Sequence, residues 1–183
     1  RASQDGATWS AWTPVPRMDA EGESPVVTYG ELTLLRGRYV QYRLTLSRPS
    51  AAAGLNVGSV KLVLINSEQG PTAEQAQAAS MGAAMAGEPT VISRAAWGCN
   101  ESYRTWDPEY RPIKTFIIHH TVTSNNDTNP AATMRAIYYY HAVTRGWGDI
   151  GYNYLIDQQG RIYEGRYGGE GVVGHHTAIY NYG

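Results

Sequence analysis

A continuous apolar run that ends in two histidines constrains the fold of this chain most. Residues 115–120 read Thr-Phe-Ile-Ile-His-His, with no polar residue between the aromatic ring and the first imidazole. A run without alternation is typical of a strand that is buried on both faces, and such strands occur mainly in α/β proteins. The run therefore predicts a sheet with helices packed on it.

The segments that follow this run change type in the order expected for an α/β domain. Pro130 stands at the first position of a helix that we predict from Ala131 to about Val143, and Gly146 ends it. Two strands are predicted at 152–157 and 161–164, joined by a Gln-Gln-Gly turn as a hairpin. Strand, helix and hairpin together predict an α/β fold.

A change in composition predicts how the chain is divided. Residues 67–89 are rich in Ala and Gly and hold no large apolar side chain besides methionine, which indicates a linker. The chain then has one unit over 1–66 and a second over 90–183. In the first unit, residues 39–46 alternate apolar and polar side chains as a half-buried strand does, and this predicts a small all-β, sandwich-like domain.

The charge balance excludes several partner classes. The sequence holds 15 basic and 16 acidic residues, for a net charge of −1, and no cluster of Lys and Arg. A nucleic-acid binder or a membrane-surface helix needs such a cluster, so we expect neither. No apolar run approaches the roughly 18 to 20 residues of a membrane span, and we expect none. Because the sequence starts with Arg1, we expect its N-terminus to be processed or cut.

All histidines lie in the second unit, at 119, 120, 141, 175 and 176. Adjacent side chains of a strand point to opposite faces, so only one of His119 and His120 can serve a given centre. That residue is a metal-binding or catalytic histidine, or else a hydrogen-bonded core histidine. His141 fits packing on a helix face, and the pair at 175–176 follows a Gly-rich loop where it could be solvated.

Four motifs in a fixed order give a family resemblance. They are residues 116–123 (FIIHHTVT), 146–157 (GWGDIGYNYLID), 160–166 (GRIYEGR) and 173–181 (VGHHTAIYN). Together they closely resemble the peptidoglycan recognition protein and zinc amidase family, over about residues 90–183. The resemblance implies a mixed sheet, Zn²⁺ held by two His and one Cys, and peptidoglycan as the partner. For the enzymes of the family it implies hydrolysis of the amide between N-acetylmuramic acid and L-alanine.

The same resemblance assigns roles to single residues. It makes His119 the metal ligand and leaves His120 on the opposite face. It makes Tyr152 the catalytic residue that positions a metal-bound water or stabilises the oxyanion. Substrate-binding or scaffold positions along the groove are implied for four further residues, which are His176, Asn181, Trp147 and Arg166.

The resemblance also implies that two zinc ligands are missing. Family members continue past the last motif to the second zinc His and the zinc Cys, whereas Cys99 precedes the first strand and does not match that position. We therefore expect a truncated, inactive domain whose complete parent is a secreted or wall-associated zinc amidase. The alternative is a recognition module that binds peptidoglycan without cleaving it. Tyr152 favours the enzyme, because many pure binders carry a residue without a hydroxyl there.

Overall fold

The computed structural model describes residues 1–17, 28–47, 50, 54, 56–81, 87–177 and 181. Its elements follow in the order β1 (Ala2–Ser3), β2 (Tyr39–Val40), α1 (Ala73–Ser80), β3 (Val91–Ile92), a 3-10 turn (Glu101–Tyr103), α2 (Pro130–Tyr139), a π-helical turn (Tyr140–Thr144), β4 (Tyr154–Ile156) and β5 (Ile162–Glu164). None of the helices in these ranges has the length and apolar character needed to cross a membrane.

A mixed three-stranded sheet forms the base of the second unit. β5 lies in the middle, parallel to β3 on one side and antiparallel to β4 on the other. The β4–β5 pair is the predicted hairpin, and Gly160 closes its turn with a φ of +78°, where a side chain would be strained. The mixed α/β arrangement expected for this part of the chain is confirmed.

Helix α2 begins as predicted and ends in a wider turn. Pro130 occupies the first helical position, and the side chain of Asn129 caps the helix by accepting an amide hydrogen of the first turn. After Tyr139 the hydrogen bonds change to i+5, as the Arg145 amide donates to the Tyr140 carbonyl at 2.8 Å. Such π-helical turns are frequent at functional sites. Gly146 ends the helix with a φ of +71°.

Trp97 joins helix α2 to the sheet at the centre of the core. It is fully buried, its indole N–H donates to the Glu164 carbonyl at 2.9 Å, and its ring meets Tyr138 edge-on at 6.0 Å. The indole therefore fills the space between the two layers and leaves no unpaired donor. The other large residues of this core are Ile92, Met134, Ile137, Ile150, Leu155 and Tyr163.

The segment predicted as a linker contains a packed helix. Helix α1 buries Ala73, Ala76 and Ser80 and contacts β3 and α2. Its small side chains lack an apolar stripe, but they allow the helix to approach the sheet closely, so packing supplies the stability that the helix lacks alone. The boundaries proposed for the two units stay a prediction.

Thr72 is expected to contribute measurably to the stability of this helix. Its hydroxyl accepts from the Gln75 amide at 3.3 Å, and the Gln75 side chain accepts from the Thr72 amide at 2.9 Å. Replacing Thr72 by Ala is expected to lower the free energy of unfolding by about 1 kcal/mol. Urea unfolding followed by circular dichroism measures the change, and Thr72→Ser should retain most of the stability.

The first unit is only sparsely hydrogen-bonded in the described ranges. β1 and β2 pair antiparallel over two residues each, and the strand predicted at 39–46 is reduced to Tyr39–Val40. The side chains of Tyr42, Leu44 and Leu46 are exposed rather than half-buried. The sandwich-like domain therefore stays a prediction.

The strand predicted at 115–120 is wrong as a sheet strand. No residue in the described ranges pairs with it, and Phe116 and Ile118 are 78% and 80% exposed. The apolar sequence requires burial for its stability, but burial needs a neighbouring strand and a covering layer, which this run does not have among the residues described here.

Candidate functional site

Four aromatic side chains from separate segments meet beside the sheet, and we call them the histidine–tyrosine cluster: His119, His141, Tyr152 and His176. The rings of His119 and His176 stack with centroids 4.1 Å apart and planes 22° apart. Tyr152 lies 5.1 Å from the His119 ring and 5.2 Å from the His176 ring. The structure thus brings together three residues that the sequence proposed, although their roles stay proposals.

Sequence reasoning missed two histidines of this site. His141 was interpreted as packing, yet its ring lies 5.0 Å from Tyr152 and 4.5 Å from Trp147. The sequence leaves open whether His175 is solvated, and its ring meets Trp147 at 5.2 Å. The helical spacing of His141 gave no signal for the site, because its ring contacts are with Trp147 and Tyr152, which follow the turn.

The side-chain orientation of His119 leaves one nitrogen available. Its Nδ1 lies 2.9 Å from the carbonyl oxygen of His120, and because a carbonyl can only accept, Nδ1 carries the proton. In the neutral imidazole the lone pair is then on Nε2, as a metal-binding histidine requires. His120 instead lines a separate cavity of about 520 Å³ beside β4 and the start of α2. That the two neighbours serve different faces stays a prediction.

His141 is held in the opposite tautomer. Its Nδ1 accepts from the Gly151 amide at 3.2 Å, so the proton of the neutral ring is on Nε2. Burial, and then the positive charges of nearby histidines and arginines, lower its pKa to about 3. His141 is therefore a fixed hydrogen-bond donor, and it cannot ligate a metal through Nε2 without losing its bond to Gly151.

The buried, neutral state of His141 predicts a pH dependence of stability. Because the folded pKa of about 3 lies below the usual 6.5, the unfolded chain takes up the proton first on acidification. The stability linked to this residue is complete above about pH 6.5 and is lost as the pH falls toward 3.

Urea unfolding of the wild type and His141→Asn at about pH 7.5 and pH 5 tests this linkage. The Asn side chain can accept from Gly151 but does not titrate in this range. We expect the variant to lose less stability on acidification, and equal losses in the two proteins would contradict the assignment.

Tyr152 keeps its proton at neutral pH. Burial raises the pKa of its phenol to about 12, with further contributions from the carboxylate of Glu31 and the phenol of Tyr140. Its backbone is fixed, since the Arg166 amide donates to the Tyr152 carbonyl at 2.8 Å. The hydroxyl is therefore a positioned donor beside the two stacked imidazoles.

A buried ion pair holds the loop that leads into Tyr152. Asp149 is fully buried and accepts from the Arg94 guanidinium at 3.0 Å and from the amides of Ile150 and Tyr167 at 2.7 and 2.9 Å. Arg94 also bonds the carboxylate of Glu101 and the carbonyl of Gly165. Asp149 is therefore an internal anchor of the loop.

Arg166 provides a buried cation next to the cluster. Its guanidinium lies 3.6 Å from the centre of the Trp106 ring and donates through Nη1 to the Ile150 carbonyl at 2.9 Å. Its buried Nε meets no acceptor in the described part of the chain. Burial lowers its pKa to about 10, so the group stays charged at neutral pH.

A small cavity of about 200 Å³ is lined by this arginine together with Glu109, His175 and Asn181. Asn181 organises the loop, because its side-chain oxygen accepts from the amides of His176 and Thr177 at 2.9 and 3.0 Å. Of the four groove residues that the resemblance proposed, Trp147 and His176 contact cluster rings, Arg166 faces this cavity, and Asn181 positions the loop.

The donor set for a metal is incomplete in the described ranges. They contain no group of three His, Cys, Asp or Glu side chains placed to hold a metal ion. Cys99 lies near Arg94 and Tyr138, away from the cluster, and burial raises the pKa of its thiol above the usual range. Among the described residues, His119 therefore presents the lone pair of Nε2, and no complete zinc site is formed.

The fold and site define an α/β domain with a histidine- and tyrosine-lined ligand site beside a mixed sheet. Residues 109–182 match the family model described as N-acetylmuramoyl-L-alanine amidase. This part of the chain is thus similar to the peptidoglycan recognition protein and amidase family.

Individual relatives are similar over about half of this chain. Peptidoglycan recognition protein 1 of Bos taurus is 35% identical over 96 residues, 48% of this chain and 46% of the relative. The N-acetylmuramoyl-L-alanine amidase of Homo sapiens is 37% identical over 103 residues, 54% of this chain and 17% of the relative. Among solved structures, Drosophila PGRP-SA is 35% identical with a TM-score of 0.45, covering 51% of this chain and 54% of that one. The chain thus spans less than half of these two relatives' own length.

Proposed function

We propose that this protein recognises the muramoyl-peptide unit of peptidoglycan through the histidine–tyrosine cluster. The observation that supports this most is the meeting of His119, Tyr152 and His176 at ring distances of 4.1 to 5.2 Å within the segment that matches the family. One solved relative, peptidoglycan recognition protein-LE, was crystallised with tracheal cytotoxin, a diaminopimelic acid-type peptidoglycan fragment.

The chemistry of the site suits such a ligand. A muramoyl peptide presents amide carbonyls, sugar hydroxyls and carboxylates. The fixed N–H of His141 and the hydroxyl of Tyr152 can donate to carbonyl oxygens. The indole of Trp147 offers an apolar face to a sugar ring, and the buried Arg166 can pair with a carboxylate.

Amide hydrolysis is a second candidate function, and the family match favours it. In this proposal the complete protein cleaves the N-acetylmuramoyl-L-alanine amide, His119 is one ligand of a zinc ion, and Tyr152 donates to the developing oxyanion. Since the described residues do not complete a zinc site, recognition is the function that the geometry supports best. We place the protein outside the cytoplasm, secreted or at the cell wall, because its proposed ligand is there.

The neighbouring histidines give a matched test of recognition. Titration calorimetry with N-acetylmuramoyl-L-alanyl-D-isoglutamine is expected to show binding by the wild type. His119→Ala should weaken the affinity about tenfold, a loss of roughly 1.4 kcal/mol. His120→Ala, at a residue that lines the separate cavity, should leave the affinity unchanged. Absence of binding by the wild type, or equal effects of the two variants, would refute the proposal.

Hydrolysis is tested by adding Zn²⁺ and the same ligand to this chain and to a longer form of the protein. We expect release of the alanyl peptide only from the longer form, and its loss on chelation. Tyr152→Phe should reduce turnover while ligand binding persists. Zinc-independent release would contradict the amidase assignment.

A further inference from the structure

The aromatic ring of Trp106 lies directly on the guanidinium of Arg166. The guanidinium carbon is 3.6 Å from the centre of the ring, a distance that only contact with the ring face allows. In the contact between Arg104 and Tyr167, the corresponding distance is 4.2 Å. Trp106 is half-buried and lines the cavity of about 200 Å³ together with Arg166. It is therefore a direct neighbour of the cation that we propose for ligand carboxylates.

The backbone around Trp106 is held by contacts of its own. The Arg104 guanidinium donates through Nη1 to the Trp106 carbonyl at 3.0 Å, and the Thr105 amide donates to the Gly148 carbonyl at 2.9 Å. Gly148 has a φ of +74°, and a Cβ added there would lie 2.9 Å from the Cβ of Trp106. Only glycine permits this close approach of the two segments. The indole is therefore placed independently of the arginine that stacks on it.

The stacking contact leaves the edge of the Arg166 guanidinium for hydrogen bonds. A guanidinium can stack on a ring through its face while its N–H groups donate in its own plane. Of these groups, Nη1 donates to the Ile150 carbonyl at 2.9 Å, and Nε meets no acceptor in the described part of the chain. The carboxylate of Glu109 also lines the cavity, and it accepts from Arg111 at 2.6 Å. Arg166 thus has a covered face and an edge that a ligand can complete.

We propose that Trp106 is a positioning residue for ligand recognition, which holds the Arg166 guanidinium by its face so that its edge can pair with a ligand carboxylate. The inference rests on the proposed recognition of muramoyl peptides, and it adds a residue that lies outside the matched residues 109–182. Without the indole face, the guanidinium is free to turn, and a ligand must spend binding energy to fix it. Trp106 therefore determines how strongly the site prefers an acidic ligand to a neutral one.

The test compares N-acetylmuramoyl-L-alanyl-D-isoglutamine, which has a free γ-carboxylate, with its neutral γ-amide. Trp106→Leu keeps an apolar side chain without an aromatic face, and we expect it to lower the affinity for the acid relative to the amide by about three- to tenfold. Trp106→Phe should restore most of this ratio. Trp12→Leu removes an indole that stacks on Arg1 and Arg43 in the first unit, and should leave the ratio at its wild-type value. Equal weakening of both ligands by Trp106→Leu, or an unchanged ratio, overturns the inference.

A ligand-free measurement separates the failure of the inference from the failure of the proposed function. In ¹H–¹⁵N NMR spectra, the Nε–H signal of Arg166 is identified by its loss in Arg166→Lys. Because a proton over an indole face is shifted upfield by the ring current, we expect this signal upfield of the usual arginine range in the wild type, and within that range in Trp106→Leu. Wild-type protein that binds neither ligand would refute recognition itself. A wild-type signal within the usual range would overturn the role of Trp106 whether or not a ligand binds.

Discussion

Replacing Asp149 by Ala is expected to lower the free energy of unfolding by about 3–5 kcal/mol. The carboxylate is fully buried and pairs with Arg94, which is itself almost fully buried. Removing it leaves a guanidinium without its internal counter-charge and frees the amides of Ile150 and Tyr167. Breaking one side of a buried pair costs more than the pair contributes, because the remaining charge stays desolvated.

Glu101 provides the matched control for this prediction, because it bonds the same arginine from a partly exposed position. Glu101→Gln should lower the free energy of unfolding by about 1 kcal/mol or less, because water can replace the partly exposed Glu101 carboxylate as a partner of Arg94. Urea unfolding of both variants gives the comparison. If Asp149→Ala and Glu101→Gln lost the same free energy of unfolding, burial would not determine how much each carboxylate contributes to stability. The double variant Arg94→Met with Asp149→Leu should lose less unfolding free energy than the sum of the losses measured for Arg94→Met alone and Asp149→Leu alone.

Replacing Arg166 by Gln is expected to weaken the binding of a carboxylate-bearing muramoyl peptide by about ten- to a hundredfold. A hydrogen bond to a charged group contributes about 1.5–3 kcal/mol, and the Nε of this buried arginine has no acceptor in the described ranges before a ligand arrives. Calorimetry with N-acetylmuramoyl-L-alanyl-D-isoglutamine measures the change.

Two comparisons separate recognition from a loss of structure in this variant. The neutral γ-amide of N-acetylmuramoyl-L-alanyl-D-isoglutamine lacks the carboxylate, so its affinity should change much less than the affinity for the acid. Arg166→Lys keeps the charge without the planar donor set, and should give an intermediate affinity. Equal weakening of both ligands would indicate that Arg166 acts only through its bond to the Ile150 carbonyl.

Short-range sequence signals predicted those helix ends and turns that depend only on neighbouring residues. Pro130 predicted the start of α2, Gly146 its end, and the Gln-Gln-Gly turn at Gly160 the hairpin. Each of these residues acts through its own backbone angle or its own capping bond, so neighbours in sequence decide the result.

Features that depend on distant partners could not be predicted in this way. The apolar run at 115–120 reads as a buried strand, but a strand requires another segment to pair with it. Helix α1 is stabilised by the surface on which Ala73 and Ala76 lie, and its own sequence gives only the cap. The meeting of His119, Tyr152 and His176 was anticipated from family motifs rather than from residue spacing, and His141 was missed because its contacts depend on the turn that follows α2.

The exposed run around Phe116 has a practical consequence for the behaviour of this chain in solution. Three consecutive large apolar residues, Phe116 to Ile118, are each more than 60% exposed, in a segment that pairs with no strand among the residues described. Such a segment can template strand-to-strand association between molecules. Light scattering should therefore show self-association that increases with protein concentration, and Ile118→Lys should suppress it without disturbing the His119 ring contacts. Apparent affinities measured on this chain will depend on how much of it is monomeric.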